Sequence, residues 1–194
     1  MTTLIQFIGP QCYEVAQASE MQCTGKTTLA AGLFYTMKKE GLVVELIQEP
    51  ARRRVYAGLP VEGAGQLSII TELYEHITDV VRAGVAWVVI DTHILAGLLY
   101  TQDVVVYNLC QSLYQSLRSM TADCITIVPV GDKPLFSSVG RAYTEGEVLP
   151  GHDLEEVLLY VTDRILVPHT VEPTELYYKV LDTAQEADSS ITYL

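Results

Sequence analysis

The feature that most constrains the fold is a Gly-Lys-Thr sequence that follows an apolar run near the start of the chain. The run is Leu4–Ile8, and Gly-Lys-Thr occupies residues 25–27. Directly after the run stands Gly9–Cys12, and joining it to Thr24–Thr27 gives a full match to the pattern Gly-x-x-x-x-Gly-Lys-Ser/Thr. In this pattern a loop between a strand and a helix binds phosphate through backbone N–H groups and the helix dipole. The sequence therefore predicts a strand, a phosphate-binding loop and a helix in succession.

The two halves of this loop are separated by an insertion of eleven residues, Tyr13–Cys23. The insertion contains good helix formers and two acidic residues, Glu14 and Glu20, which would repel a nearby phosphate. It could form an excursion that leaves the phosphate contacts partly in place. It could instead extend the following helix backwards and use up the N–H groups that should bind phosphate, or be an artefact of a variant or gene model. The sequence leaves these alternatives open.

The residue types of the loop predict a role for its charged and hydroxyl groups. Lys26 is expected to reach the terminal phosphates, and the Thr27 hydroxyl to help hold Mg²⁺. A helix over about residues 26–39 is indicated by an apolar face and by the ending Lys38-Lys39-Glu40-Gly41. The predicted nucleotide-binding residues are Gly9, Pro10, Gln11, Cys12, Thr24, Gly25, Lys26, Thr27 and Thr28.

Composition indicates one globular domain over residues 1–194, because 49% of the residues are hydrophobic and 19% are charged. We expect no secretory signal and no membrane span, since no apolar stretch approaches the roughly 20 residues that a span requires. The four cysteines lack zinc-ligand or redox spacing, which favours reduced thiols in a cytoplasmic protein. A net charge of −12 argues against general attraction to the nucleic-acid backbone.

Apolar runs alternate with helical patterns along the chain, which predicts an α/β fold with a parallel sheet covered by helices on both faces. Strands are predicted at about residues 4–8, 42–47, 86–90, 124–130 and 176–181. Helices are predicted at about residues 26–39, 66–82, 94–100, 104–120 and 153–165. The polar segment 131–152 follows the fourth predicted strand.

Ligands of open parallel sheets bind beyond the carboxyl ends of the strands, and two acidic residues fall there. Asp91 ends the third predicted strand, where a carboxylate can orient Mg²⁺ or its waters beside the loop threonine. Capping of the next helix is the alternative role for Asp91. Glu49 follows the second predicted strand and could accept the proton of an acceptor hydroxyl or hydrogen-bond to it. A solvated loop glutamate is the alternative there.

Cationic side chains flank the same edge. Arg52 and Arg53 are predicted to clamp an acceptor phosphate, although with Arg54 the three adjacent arginines cannot all face one site. Arg141 lies in the segment 131–152, where a mobile lid could place it on a transferring phosphoryl group, with Lys133 as a second candidate. An incidental surface loop is the alternative. Side chains that could line an acceptor pocket are Gln66, Tyr74 and Tyr100, and no histidine is given a catalytic role, His93 being the one near the site.

Taken together, these residues resemble the P-loop kinase superfamily. The resemblance is carried by the rejoined Gly-Pro-Gln-Cys-Thr-Gly-Lys-Thr, by Glu49–Arg52, by Val88–Thr92 and by Arg141. More narrowly, the chain looks like small bacterial and phage ATPases related to nicotinamide-riboside, deoxynucleoside and deoxynucleotide kinases, a group that includes phage 5-hydroxymethyluracil DNA kinases. The resemblance implies ATP, Mg²⁺, the three-layer P-loop NTPase fold with strand order 2-3-1-4-5, and transfer of the γ-phosphoryl group to a hydroxyl or phosphate.

The sequence thus predicts an ATP-dependent kinase whose acceptor is a nucleoside, a nucleotide or a modified base. Its predicted catalytic residues are Lys26, Glu49, Asp91 and Arg141, with Thr27 and Asp91 holding the metal. The acidity favours a small-molecule acceptor, while the arginine run leaves a kinase of modified DNA as an alternative. A second alternative is a nucleotide-binding or interaction module that lacks catalysis because the loop is interrupted. The protein is expected in the cytoplasm, or in the host cytoplasm if a phage encodes it.

Overall fold

The computed structural model describes residues 1–9, 13–15, 18–22, 25–62, 64–130, 154–161, 163–168 and 170–189. Its strands are β1 (Thr3–Phe7), β2 (Tyr13–Val15), β3 (Ala18–Gln22), β4 (Val44–Ile47), β5 (Trp87–Ile90), β6 (Asp123–Val130) and β7 (Arg164–Pro168). Its α-helices are α1 (Lys26–Lys39), α2 (Pro50–Tyr56), α3 (Ala64–Arg82), α4 (Val104–Met120), α5 (Leu154–Leu158) and α6 (Pro173–Ser189), and Ile94–Tyr100 is a 3₁₀ helix.

Five of the described strands form one parallel sheet in the order β4-β5-β1-β6-β7. Counted without β2 and β3, this is the order 2-3-1-4-5, so the prediction is confirmed. Successive residues of a strand point to opposite faces, and β1 therefore supplies Leu4 to one hydrophobic core and Ile5 to another. The first core packs against α3, α4 and the 3₁₀ helix, and the second against α1 and α6. The three-layer arrangement is confirmed.

The fifth predicted strand, 176–181, is wrong, because these residues lie within α6. Leu176, Tyr177 and Val180 are buried whereas Tyr178 is exposed, which is the spacing of a helix with one apolar face. Pro173 at the first position favours the helix start. The fifth strand is instead β7, within which the helix predicted for 153–165 would have ended. That helix is short and stops at Leu158.

Residues 50–56 also differ from the prediction, which places neither a helix nor a strand there. They form α2, with Pro50 at its start and Glu49 at the N-cap position. Proline suits the first turn of a helix because its missing N–H would have no partner there in any case. This helix decides which way each of the three adjacent arginines points.

The described residues of the insertion form two paired strands. β2 and β3 pair antiparallel, with Tyr13 opposite Gln22 and Glu14 opposite Met21, and they form a two-stranded sheet of their own. Gly25 adopts the left-handed conformation and α1 begins at Lys26. The alternative in which the insertion extends this helix backwards is therefore wrong, and the described geometry fits the excursion.

Two further expectations concern the chain as a whole. No helix in the described ranges is long and apolar enough to cross a bilayer. Cys110 and Cys124 are buried free thiols, as expected, and burial raises the pKa of the Cys110 thiol to about 12. Cys12 and Cys23 lie outside the described residues.

Candidate active site

The two halves of the interrupted loop meet in space. The Lys26 ammonium group donates a hydrogen bond to the Gly9 carbonyl, with Nζ and O 2.7 Å apart. Both flanking glycines have positive φ, 148° at Gly9 and 72° at Gly25, a region that residues with a Cβ rarely adopt. This explains why the pattern requires glycine at both positions. Pro10, Gln11, Cys12 and Thr24 lie outside the described residues.

The second half of the loop leads directly into α1. The Leu29 N–H donates to the Gly25 carbonyl at 3.0 Å, so helical hydrogen bonding begins at this pair. In the first turn of a helix the N–H groups have no partner within the helix, and at α1 these belong to Lys26, Thr27 and Thr28. They coincide with the positive end of the helix dipole, where an anion binds favourably.

Asp91 is brought to this helix start by β5. Its N–H donates to the Ile47 carbonyl at 2.9 Å, and its side chain is only 4% exposed. Burial raises the pKa of the carboxyl to about 6. A hydrogen bond with the Thr27 side chain opposes that rise, Glu49 adds to it, and Lys26 and Arg52 oppose it. The Asp91 carboxylate thus interacts with four residues that were predicted from the sequence to belong to the same site.

The predicted role of Asp91 as a helix cap is not what the structure shows. The residue at the N-cap of the 3₁₀ helix is His93, whose Nδ1 accepts the Leu95 N–H at 3.0 Å. Asp91 Oδ1 is buried and has no hydrogen-bond partner among the described residues. An uncompensated carboxylate oxygen beside a threonine hydroxyl fits a hard divalent cation, which prefers oxygen ligands.

The residues present therefore fit Mg²⁺ if waters and substrate phosphates complete its coordination shell. No group of three or more His, Cys, Asp or Glu side chains in the described ranges could hold a metal by itself. Mg²⁺ commonly takes one or two protein ligands together with waters and substrate phosphates. Thr27 and Asp91 match that pattern.

The three adjacent arginines separate on α2. The Arg52 guanidinium donates to Thr27 Oγ1 at 3.2 Å and so faces the site. Arg53, whose side chain is 75% exposed, forms an ion pair with Glu72 of α3. Arg54 donates from Nε to the Pro60 carbonyl at 3.1 Å, away from the site. The expectation that not all three can face one site agrees with this geometry.

Glu49 lies between two cavities. One is a groove of about 420 Å³, whose charged lining residues are Glu49, Arg52, Arg53, Glu72 and Asp91. The other is a small apolar cavity of about 30 Å³, whose lining includes Gln66 and Tyr100. Tyr74 does not line either one, since its hydroxyl hydrogen-bonds to Ser116 at 2.8 Å and joins α3 to α4.

The comparisons with known proteins bear on the fold. No protein-family model matches the sequence, and no curated protein matches it. Among solved structures, the Mycobacterium tuberculosis APS kinase CysC in complex with AMPPNP and APS matches with a TM-score of 0.58 and 14% identity, over 95% of this chain and 98% of that one. This chain has the P-loop kinase fold. A cysteine-to-alanine mutant of the same enzyme gives 0.50 at 11% identity, over 95% and 98%. A Sinorhizobium meliloti 1021 gluconokinase gives 0.45 at 11%, over 98% and 94%.

Within this P-loop kinase fold, the structure brings together Gly9, Gly25, Lys26, Thr27, Glu49, Arg52 and Asp91. Thr28 is exposed at the start of α1, and Arg53 lies on the groove wall in its pair with Glu72. Arg141, Lys133 and the rest of the segment 131–152 lie outside the described residues, so the predicted lid stays a prediction.

The site also contains polar residues that belong to none of the sequence motifs described above. Gln6, His93 and Thr126 are fully or almost fully buried beside the turn that follows Asp91. Burial lowers the pKa of His93 to about 3, so the imidazole is neutral. A signal was present in the sequence, since Gln6 and Thr126 interrupt strands of otherwise apolar residues.

Proposed function

We propose that the protein is an ATP-dependent phosphotransferase that moves the γ-phosphoryl group to a hydroxyl or phosphate of a nucleoside, a nucleotide or a modified base. The observation that carries this proposal is the convergence of Gly9, Lys26, Thr27 and Asp91 across an eleven-residue insertion. The match to an APS kinase with a bound ATP analogue supports it at the level of the fold.

The chain's own groups would do the work that phosphoryl transfer needs, which is mainly positioning and charge neutralisation. The N–H groups at the start of α1 and the Lys26 ammonium would bind the phosphates. Thr27 and Asp91 would hold Mg²⁺, which when bound supplies neutralising charge. Arg52, already in contact with Thr27, adds positive charge at the same point. Arg141 is proposed to act from the segment 131–152.

Glu49 is the proposed acceptor-side residue. It lines the groove of about 420 Å³, which is large enough for a nucleoside-sized molecule. From that position its carboxylate could accept a hydrogen bond, or the proton, of an acceptor hydroxyl. Arg53 is proposed to contact the acceptor as well, from the wall of the groove.

The acceptor is proposed to be a small molecule rather than DNA. Arg53 is paired with Glu72 and Arg54 with a backbone carbonyl, so the arginine run does not form an open cationic surface. The net charge of −12 would repel a polyanion. A kinase of modified DNA remains the alternative to test.

The deciding measurement is ATP turnover with a panel of free nucleosides, nucleotides and base-modified DNA. Turnover with one acceptor class and its loss in Lys26→Ala are the expected results. The matched control is Lys39→Ala, which removes an exposed lysine from the other end of α1 and should leave turnover unchanged. Equal turnover in Lys26→Ala and the wild type would overturn the proposal.

A non-catalytic nucleotide-binding or interaction module is the second candidate. The observation in its favour is that the Lys26 ammonium is bonded to the Gly9 carbonyl within the loop itself. Calorimetry with ATP and Mg²⁺ tests the two candidates, because absence of binding would favour the module over the kinase. Binding without turnover of any acceptor would favour the module. If no binding is seen, recovery of binding on deletion of residues 13–23 would identify the insertion as the cause.

A further inference from the structure

Three polar side chains form a buried cluster, two on central strands of the sheet and one on the turn that follows β5. Gln6 of β1 and Thr126 of β6 are 0% exposed and are direct partners in the parallel register. His93, which follows β5, is 1% exposed. On the other side of β1, Gln6 is in register with Ile90, the residue that precedes Asp91. The cluster therefore lies beside the strand end that carries the proposed metal ligand.

Each member of the cluster contacts the segment that follows Asp91. Gln6 Oε1 accepts the Ile94 N–H at 3.2 Å, and His93 Nδ1 accepts the Leu95 N–H at 3.0 Å. Because Nδ1 acts as an acceptor in a neutral ring, the proton is on Nε2, which lies 3.3 Å from Thr126 Oγ1 and donates to it. Side chains of β1 and β6 thus form hydrogen bonds with the turn that follows Asp91.

Polar groups in this position are costly, because each must be hydrogen-bonded once it is removed from water. The surrounding core is apolar, and Gln6 leaves its own Nε2 without a hydrogen-bond partner in the described part of the chain. Packing alone would be served better by aliphatic side chains. The cost is understandable if the cluster fixes the path of the turn.

The turn is held at the other end by the backbone. The Asp91 N–H donates to the Ile47 carbonyl at 2.9 Å, and the Ala96 N–H to the His93 carbonyl at 2.8 Å. Residues 92–95 lie between these bonds, and they follow Asp91 directly along the chain. The Gln6, His93 and Thr126 hydrogen bonds involve residues 93–95.

We propose that Gln6, His93 and Thr126 are positioning residues that hold the turn after β5 so that the Asp91 carboxylate stays directed at Thr27 and at the cation bound there. The proposal rests on the proposed function. None of the three is proposed as a ligand of the cation, and their effect would pass through the backbone of residues 93–95. Mutation of residues that hold metal ligands in place typically weakens metal affinity by 10- to 100-fold.

The test uses Mn²⁺ as the probe, with its binding measured by electron paramagnetic resonance in the presence of a non-hydrolysable ATP analogue. Thr126→Val removes the acceptor of the His93 bond at nearly constant volume and suits a buried strand. We expect about a tenfold loss of Mn²⁺ affinity in Thr126→Val, and wild-type affinity in Thr126→Ser, which keeps the hydroxyl. Metal-free binding of the analogue, measured by calorimetry, should be unchanged.

Two further variants complete the design. Thr121→Val removes another buried hydroxyl, which bonds to the Leu117 carbonyl at the end of α4, and it should bind Mn²⁺ as the wild type does. Gln6→Leu tests the cluster from β1 and decides the question if Thr126→Val does not fold. If the wild type binds the analogue and Mn²⁺, and Thr126→Val and Gln6→Leu bind both equally well, the positioning role is overturned. If the wild type binds no nucleotide, the proposed function fails first.

Discussion

The interrupted loop and the turn after β5 hold charged side chains in place by different means. At the loop, two glycines with positive φ set the backbone on either side of the insertion, and one bond from Lys26 to Gly9 spans the gap. At the turn, side chains from β1 and β6 determine the path through buried hydrogen bonds. The first arrangement tolerates eleven extra residues because it depends on conformation at its two ends. The second depends on residues far apart in the sequence.

The largest expected effect is on the turn, through the pH dependence of stability. The pKa of His93 is about 3 in the folded protein and 6.5 ordinarily, so the unfolded state binds its proton more readily. The free energy of unfolding is therefore highest above pH 6.5, and it decreases as the pH falls towards 3, by up to about 1.4 kcal/mol per pH unit. Chemical unfolding of the wild type and of His93→Asn, which keeps an acceptor for the Leu95 N–H without titrating, should show a smaller pH slope in the variant. Equal slopes would contradict the prediction.

The next effect is expected from substitution of Asp91, which should change stability and cation binding in opposite directions. Its pKa is about 6 in the folded protein and 3.8 ordinarily, so the buried carboxylate destabilises the fold above pH 6, and the penalty disappears below about 3.8. Asp91→Asn should therefore raise the free energy of unfolding at pH 7 to 8 by about 1 to 3 kcal/mol while weakening Mn²⁺ binding. Asp79→Asn, at an exposed acid, should change neither property. A loss of stability in Asp91→Asn would show that its hydrogen bonds outweigh its burial.

A smaller effect tests the loop. Gly25 has a φ of 72°, and an alanine there should cost about 1 kcal/mol of stability. Gly41→Ala is a matched control, because Gly41 has a φ of 82° at the far end of α1 and open space around it. Both variants should lose similar stability in thermal unfolding, but only Gly25→Ala should lose affinity for the ATP analogue in calorimetry. Unchanged affinity would mean that this glycine does not shape the phosphate site.

The smallest effect is expected from removing the insertion. Deletion of residues 13–23 joins the two halves of the loop directly, and shortening a loop changes its closure entropy only slowly with length. We expect the free energy of unfolding to change by less than about 1 kcal/mol and affinity for the ATP analogue to be kept or increased. Loss of the fold on deletion would show that the β2–β3 pair is part of the core structure, and the contrast between loop and turn would then be wrong.

Local patterns in the sequence predicted much of the fold. The helices at 26–39 and 104–120 and the first four sheet strands follow from apolar periodicity, and their bounds agree closely with the structure. The error at 176–181 arose because a short apolar run suits a strand or a helix equally, and only packing of Leu176 and Val180 on the second core selects the helix. The helix α2 was missed for a similar reason, since seven residues carry little periodicity.

The candidate site likewise contains residues that local sequence patterns predicted and residues that only the tertiary structure identified. Lys26, Thr27, Glu49 and Asp91 were predicted because motif chemistry and strand ends are visible in the chain itself. The separation of Arg52 from Arg53 required the helical rotation of α2, and the roles of Gln6 and Thr126 required their register across β1 and β6. His93 looked incidental in the sequence because its partners are distant along the chain.

The sequence by itself determined the first four strands of the parallel sheet, the helices at 26–39 and 104–120 and the residue types of a phosphate-binding loop, since these depend on neighbours within a few residues. Only the tertiary structure decided that Gly9 lies against Lys26 across the insertion and that buried side chains from two other strands hold the turn after Asp91. The physical reason is that these contacts join residues that are far apart along the chain. They form only when the sheet fixes the register of its strands.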